Sequence, residues 1–188
     1  IPAFQKIEFK YVNGNQSYEV EFVPEKARVG YNFNDNRWWY IDSLANDTTV
    51  LPAVVFSANS PANKTLLRYV VDMQNAGGIS PNGVHVGSTF QSNNPATHKM
   101  TNLDAAKYEI IAYIDNGLQS FKYYNGNTGG NTETVPGTCA TGGLRTHSLT
   151  ADTILNTVCF SGCATCPLLV KENSISFSTL KLFPNPAS

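Results

Sequence analysis

Charge is scarce in this chain of 188 residues. Asp, Glu, Lys and Arg together make up 14% of it, and the net charge is −1, against roughly a quarter charged residues in ordinary domains. That leaves no electrostatic case for nucleic acid or an anionic membrane as a partner. Long apolar runs are missing as well, and none approaches the ~20 residues of a membrane span. Catalytic motifs are absent. His85, His98 and His147 stand on different predicted elements, with no HExxH, no Gly-x-Ser-x-Gly and no His beside a Cys or Asp. The chain therefore reads as no enzyme and needs no cofactor. Glu19 and Glu21 share a strand face without an opposed carboxylate, so they read as a solvated face and not a glycosidase pair. Ile1 opens no signal peptide, so the chain is expected to be mature or cut.

Cysteine is absent before Cys139. Four then follow closely: Cys139, Cys159, Cys163 and Cys166. An even count in a Thr- and Asn-rich chain favours disulfides and an oxidising compartment. A zinc site and free thiols are the alternatives, with Cys163-x-x-Cys166 the one pair at zinc-knuckle spacing. Redox catalysis by that pair is not expected, because it ends a strand before Pro167 and does not open a helix that would lower a thiol pKa. A calcium loop is not expected either. Asn32-Phe33-Asn34-Asp35-Asn36 offers oxygens but lacks the Gly and distal Glu of such a loop, and Asx turns explain it. No metal is expected.

What the chain does have is aromatics, at 11%, and an internal repeat. FKYVNGN at 9–15 returns as FKYYNGN at 121–127, 112 residues later, and Val23-Pro24 returns as Val135-Pro136 at the same offset. Each copy alternates apolar and polar residues before Asn-Gly, a tight-turn hairpin signal. Around the first copy, strands are predicted over 4–12, 17–23, 38–42 and 50–57, with Pro52 marking an edge or bulge. Ser60-Pro61-Ala62-Asn63-Lys64 is the natural linker. Strands then follow over 66–73, 84–90, 108–115, 119–124, 145–149 and 156–161. About seven short strands in roughly 100 residues predict an immunoglobulin-like sandwich.

The fold class is thus all-β: tandem immunoglobulin-like β-sandwiches, the first incomplete at its N-terminus. Residues 1–61 form the C-terminal half of a first repeat, 62–172 a complete second repeat, and 173–188 a linker and tail. A half sandwich leaves an apolar face and an open edge. Either the chain was cut, or other protein chains complete it by strand addition, in a homo-oligomer or fibre. In the repeat, Cys139 falls opposite Ala27 and Cys159 opposite Val55. This paired loss favours Cys139–Cys159 and, by exclusion, Cys163–Cys166, among three possible pairings.

Trp38, Trp39 and Tyr40 are the best candidates for a ligand platform or an interface. One face of their strand must point inward, so at least one Trp is structural.

Two stretches resemble known families. Leu180-Lys181-Leu182-Phe183-Pro184-Asn185-Pro186-Ala187-Ser188 resembles the opening of the C-terminal sorting domain of the type IX secretion system, which exports proteins across the outer membrane of certain Gram-negative bacteria. That resemblance implies an extracellular or outer-membrane-surface location. VVDM, SPNGVHVGSTFQSNNPATHKMT, FKYYNGN, ETVPGTC and VCFSGCATC, in that order, resemble a repeated β-sandwich module of type IX cargo, related to starch-binding carbohydrate modules. Such modules carry a sugar-stacking Trp soon after a Gly-x-Phe stretch, whereas here Gly87-Ser88-Thr89-Phe90 is followed by Gln91-Ser92-Asn93-Asn94-Pro95. Asp42-Ser43-Leu44, Asp47-Thr48-Thr49 and Asp152-Thr153-Ile154 are similar to the O-glycosylation pattern of bacteria that use this export route, which makes Ser43, Thr48 and Thr153 candidate glycan sites on exposed turns. The expectation is a non-catalytic structural or adhesive surface protein, with a carbohydrate-binding module as the alternative.

Overall fold

The computed structural model describes residues 6–28, 35–40, 51 and 53–167. The described chain is all-β, with ten strands in three sheets. Strands β1 (Lys6–Phe9) and β2 (Arg37–Tyr40) pair antiparallel, with Phe9 opposite Arg37 and Ile7 opposite Trp39. The second sheet is built on β3 (Thr65–Asp72) and β6 (Lys107–Ile114), antiparallel over eight pairs. β5 (Thr101–Asp104) flanks β6, while β9 (Thr153–Ile154) and β10 (Val158–Cys159) run parallel to β3. The third sheet orders β4 (His85–Ser88), β7 (Gly117–Tyr124) and β8 (Arg145–Leu149), all antiparallel.

The second and third sheets pack face to face. Alternate residues of β3 (Leu67, Tyr69, Val71) meet Val86 of β4, Phe121 and Tyr123 of β7 and Leu149 of β8 in one buried cluster. Each fully buried side chain of this kind contributes about 1.5–3 kcal/mol. Two phenols inside it are satisfied, Tyr123 donating to the Val70 carbonyl at 2.9 Å and Tyr69 meeting Ser88 Oγ at 3.0 Å. Burial pushes the Tyr69 phenol up to about 12, with the Ser88 contact offsetting part of the rise. Asn116-Gly117 carries the chain from one sheet to the other, and Gly117 takes the positive φ of +140° that a side chain resists.

β3 is buried on its other face too, because the first copy of the repeat covers it. Val23, Ala27 and Trp38 pack on Leu66 and Ile111, with Tyr113 alongside. The guanidinium of Arg68, held by the Glu109 carboxylate at 2.6 Å, donates to the Arg28 carbonyl at 3.0 Å. Lys26 reaches the Asp152 carbonyl, and the Asp152 carboxylate accepts from Leu66 N at 2.8 Å.

Several expectations need correction. Residues 17–23 form only a single bridge, Val12 with Val20, because Glu19 and Glu21 turn their carboxylates onto the backbone of 11–16 in place of a strand partner. Of 50–57, the described residues (51 and 53–57) form no strand. β5 and β9 were not foreseen, being four and two residues long. The Asn-Gly pairs are not two-residue hairpin turns. Gly126 has φ +137°, but Asn125 keeps a negative φ and opens a wider loop closed by Asn125 N to Asn131 O at 2.9 Å.

All four cysteines are disulfide-bonded, which points to an oxidising compartment, but the pairing is Cys139–Cys163 and Cys159–Cys166, with Cα separations of 5.7 and 4.8 Å. The cause is local. Cys159 N donates to Ala164 O at 2.7 Å and Gly162 N to Cys159 O at 2.8 Å, with Ser161 at φ 60°. This reversal returns Cys166 to Cys159 and leaves Cys163 to reach Cys139. The repeat argument failed because Cys163 and Cys166 also lack counterparts, Asn59 and Ala62 standing in their places. The loss of all four says nothing about which pair bonds.

Candidate functional site

The repeat is carried at atomic detail by a buried ion pair. In the second copy the Glu133 carboxylate accepts from Arg145 Nε and Nη2 at 2.9 and 2.6 Å, from Tyr123 N at 2.9 Å and from Ser161 N at 3.2 Å. In the first copy Glu21 accepts from Arg37 Nε and Nη2 at 2.8 and 2.7 Å, from Tyr11 N at 3.0 Å and from Ser57 N at 3.2 Å. Each arginine also donates at 2.8 Å to a carbonyl of the closing turn, Gly162 or Ala58. Each lies over the ring of its tyrosine, at 5.6 Å for Tyr123 and 5.7 Å for Tyr11. Both phenylalanines meet that tyrosine edge-on, at 5.6 and 5.5 Å. Gly14 and Gly126 share φ +137°. A bidentate pair that ties three chain segments together survives burial because every acceptor position is filled.

Glu21 therefore corrects the expectation of a solvated face, since only 1% of it is exposed. Burial alone would raise its carboxyl, but Arg37 and the Tyr11 and Ser57 amides outweigh burial and hold it below the usual carboxylate range. Glu19 caps a turn, accepting from Asn15 N at 2.8 Å and Gln16 N at 2.7 Å. Arg37, Arg145 and Glu133 were missed in the sequence. The available signal was Glu-x-Val-Pro, present in both copies at Glu21 and Glu133.

The surroundings of this shared motif differ between the copies. In the second, β4 pairs along β7 and β3 lies over its inner face, so Tyr123 is 1% exposed and Tyr124 8%. In the first, β1 has only β2 as a described partner, and Tyr11 is 37% exposed and Val12 49%. Tyr18, Val20, Phe22, Val55 and Phe56 are exposed as well. The first copy thus carries the same hairpin and clamp, without described strands in the places of β3 and β4.

Where the first copy meets the second, a cleft of about 570 Å³ opens. Trp38, Trp39, Phe90, His98, Ile110 and Tyr113 are among its lining residues. Phe90 and His98 meet edge to face at 4.9 Å. Trp38 is buried and belongs to the packing on Leu66, and its indole N–H has no partner among the described residues. Trp39 is half-buried. Volume and aromatic walls suit a small flat ligand. Tyr40 pairs with Lys6 through its backbone, and its side chain lies outside the described residues.

The histidines are not brought together. His85 is buried, each ring nitrogen facing a carbonyl, Pro95 O at 2.7 Å and Asn82 O at 2.9 Å. His98 lines the cleft, and His147 sits on β8 opposite Gln119. Among the described residues no three His, Cys, Asp or Glu side chains form a metal-sized cluster, and no helix is long and apolar enough to cross a membrane. Thr153 stands in β9 and not on an open turn. It is half-buried, with its hydroxyl donating to Ala151 O at 2.7 Å. Ser43, Thr48, residues 32–34 of the calcium candidate and the 180–188 tail lie outside the described residues. Asp35 binds Lys10 at 2.6 Å, an ordinary surface ion pair. Scans of protein-family models, of curated proteins and of solved structures find no match to this chain.

Proposed function

We propose that this chain is a non-catalytic structural or adhesive component outside the cell, built of tandem immunoglobulin-like sandwiches and assembled with other chains that complete its first repeat. One observation carries the reading. The two copies share their ion pair, ring contacts and turns, yet Tyr11 and Val12 are open where Tyr123 and Tyr124 are covered. A half-built sandwich with an open edge invites strand addition. The resemblance of residues 180–188 to a type IX sorting domain, together with two disulfides, supports export to the outer-membrane surface or beyond. Ser43 and Thr48 are its proposed glycan sites, and an intact mass equal to the sequence would remove them. The assembly reading is tested by light scattering on the full chain across a range of concentrations. Oligomers that grow with concentration are expected, and a well-folded monomer throughout would overturn it.

The aromatic cleft favours a second reading, a carbohydrate-binding module in which Trp39 stacks on a sugar. Glycan-array binding lost in Trp39→Ala would support it, and no binding by the native chain would remove it.

A further inference from the structure

The covered copy of the motif shows what the open copy lacks. β4 lies antiparallel along β7 with His85 opposite Tyr124, Val86 opposite Tyr123, Gly87 opposite Lys122 and Ser88 opposite Phe121. Tyr123 turns its N–H and C=O to Glu133, so the alternation of an antiparallel pair directs those of Lys122 and Tyr124 toward β4. Tyr11 is engaged by Glu21 in the same manner, and Lys10 and Val12 therefore present their backbone groups along the open edge. The strand that fits there is specified by β4 itself: apolar, any, apolar, small, hydroxyl, as in Val84-His85-Val86-Gly87-Ser88. The small position is dictated by contact, since a Cβ on Gly87 would stand 2.9 Å from both the Tyr124 ring and the Asn93 carbonyl. In the first copy Val12 replaces Tyr124, the ring is gone, and a serine fits.

That pattern recurs in the sequence outside the described residues, as Ile175-Ser176-Phe177-Ser178-Thr179. We infer that the open edge of residues 9–12 takes this segment from a second copy of the chain as an antiparallel strand, with Phe177 opposite Tyr11 and Ser178 opposite Lys10. The inference rests on the assembly reading and adds its partner, segment and register. Pairing satisfies the edge amides and carbonyls and sets Phe177 beside Tyr11 on one face of the strand, with Ser176 opposite Val12 on the other.

The test uses full-length chains carrying Lys10→Cys mixed with full-length chains carrying Ser178→Cys, oxidised gently. The native cysteines are all bonded, and Lys10 is a partly exposed site whose replacement removes one surface ion pair. A cross-linked heterodimer is expected, at least ten-fold above the yield from Lys10→Cys mixed with Ser176→Cys, which sits two residues out of register. In the unmodified chain, amide exchange at Lys10 and Val12 should slow at least ten-fold on assembly. Equal yields from the two mixtures, or no cross-link and no protection, overturn the inference. If the native chain still forms oligomers in that case, only the segment and register fall; if it is monomeric, the assembly reading falls with them.

Discussion

Replacing Glu133 by Gln probes the clamp at its most buried point. The Glu133 side chain is 0% exposed and that of Arg145 7%. The carboxylate accepts four hydrogen bonds, from Arg145 Nε and Nη2, Tyr123 N and Ser161 N. An amide keeps its carbonyl for two of these but turns an NH2 group on the other two, and Arg145 is left a buried cation without its counter-charge. Breaking a buried pair from one side costs about 3–5 kcal/mol, a large part of the ~5–15 kcal/mol that holds a typical domain together. At roughly 2–4 °C per kcal/mol for a chain of this size, Tm should fall by about 6–20 °C. A thermal scan reads the Tm, and urea unfolding followed by far-UV circular dichroism reads the free-energy loss, with the midpoint moving and the slope unchanged. Removing both partners in Glu133→Gln/Arg145→Met should cost less than the two single changes added, because the stranded charge is gone. A loss under ~1 kcal/mol for Glu133→Gln, or additivity within ~0.5 kcal/mol, would refute the assigned role of the pair.

Three further outcomes follow from the same geometry. Gly126→Ala should lose about 1–3 kcal/mol in thermal unfolding, since φ is +137° and the new Cβ would stand 2.1 Å from Asn131 Nδ2. Cys139→Ser/Cys163→Ser should cost about 3.5 kcal/mol by the loop-closure relation for a separation of 24 residues, and Cys159→Ser/Cys166→Ser about 2 kcal/mol for 7; non-reducing peptide mapping checks the pairing directly. The Glu21 carboxyl is held low in the fold, so its stabilisation is complete above the unfolded carboxylate value and fades as pH falls toward the folded one. Both tryptophans, Trp38 and Trp39, lie in the first copy, so acid titration by Trp fluorescence should show a loss of stability below about pH 4–5 that is reduced in Glu21→Gln.

Period-two alternation made the long strands legible. Residues 145–149 were placed to the residue, and β3, β6 and β7 to within two. β3, β6 and β7 carry buried side chains at every second position or more densely, most of them apolar. The failures lie where side-chain chemistry overrides pattern. Tyr18, Val20 and Phe22 alternate as a strand should, but Glu19 and Glu21 between them bind the neighbouring backbone, and the strand gives way to turns. β5 and β9 are too short to carry a period. The repeat was visible in FKYVNGN and FKYYNGN, yet its central pair was not, because Arg37 and Arg145 stand 16 and 12 residues beyond their glutamates and an ion pair across a loop leaves no periodic trace. Trp38 and Trp39 were singled out by residue type alone. Both line the cleft, and only the packing of Trp38 on Leu66 and Ile111 marks it as the core tryptophan of the two.

Both disulfides sit in the second copy, and this has a mechanical consequence. A chain pulled from its two ends transmits force through the Cys139–Cys163 bond and bypasses the 24 residues it spans. At ~3.5 Å per extended residue, about 80 Å of contour length is withheld from stretching while the bond lasts. The described part of the first copy has no such brake. Under tension it should pay out to its full length, while the second copy yields a shortened one, and a reductant should restore the missing length.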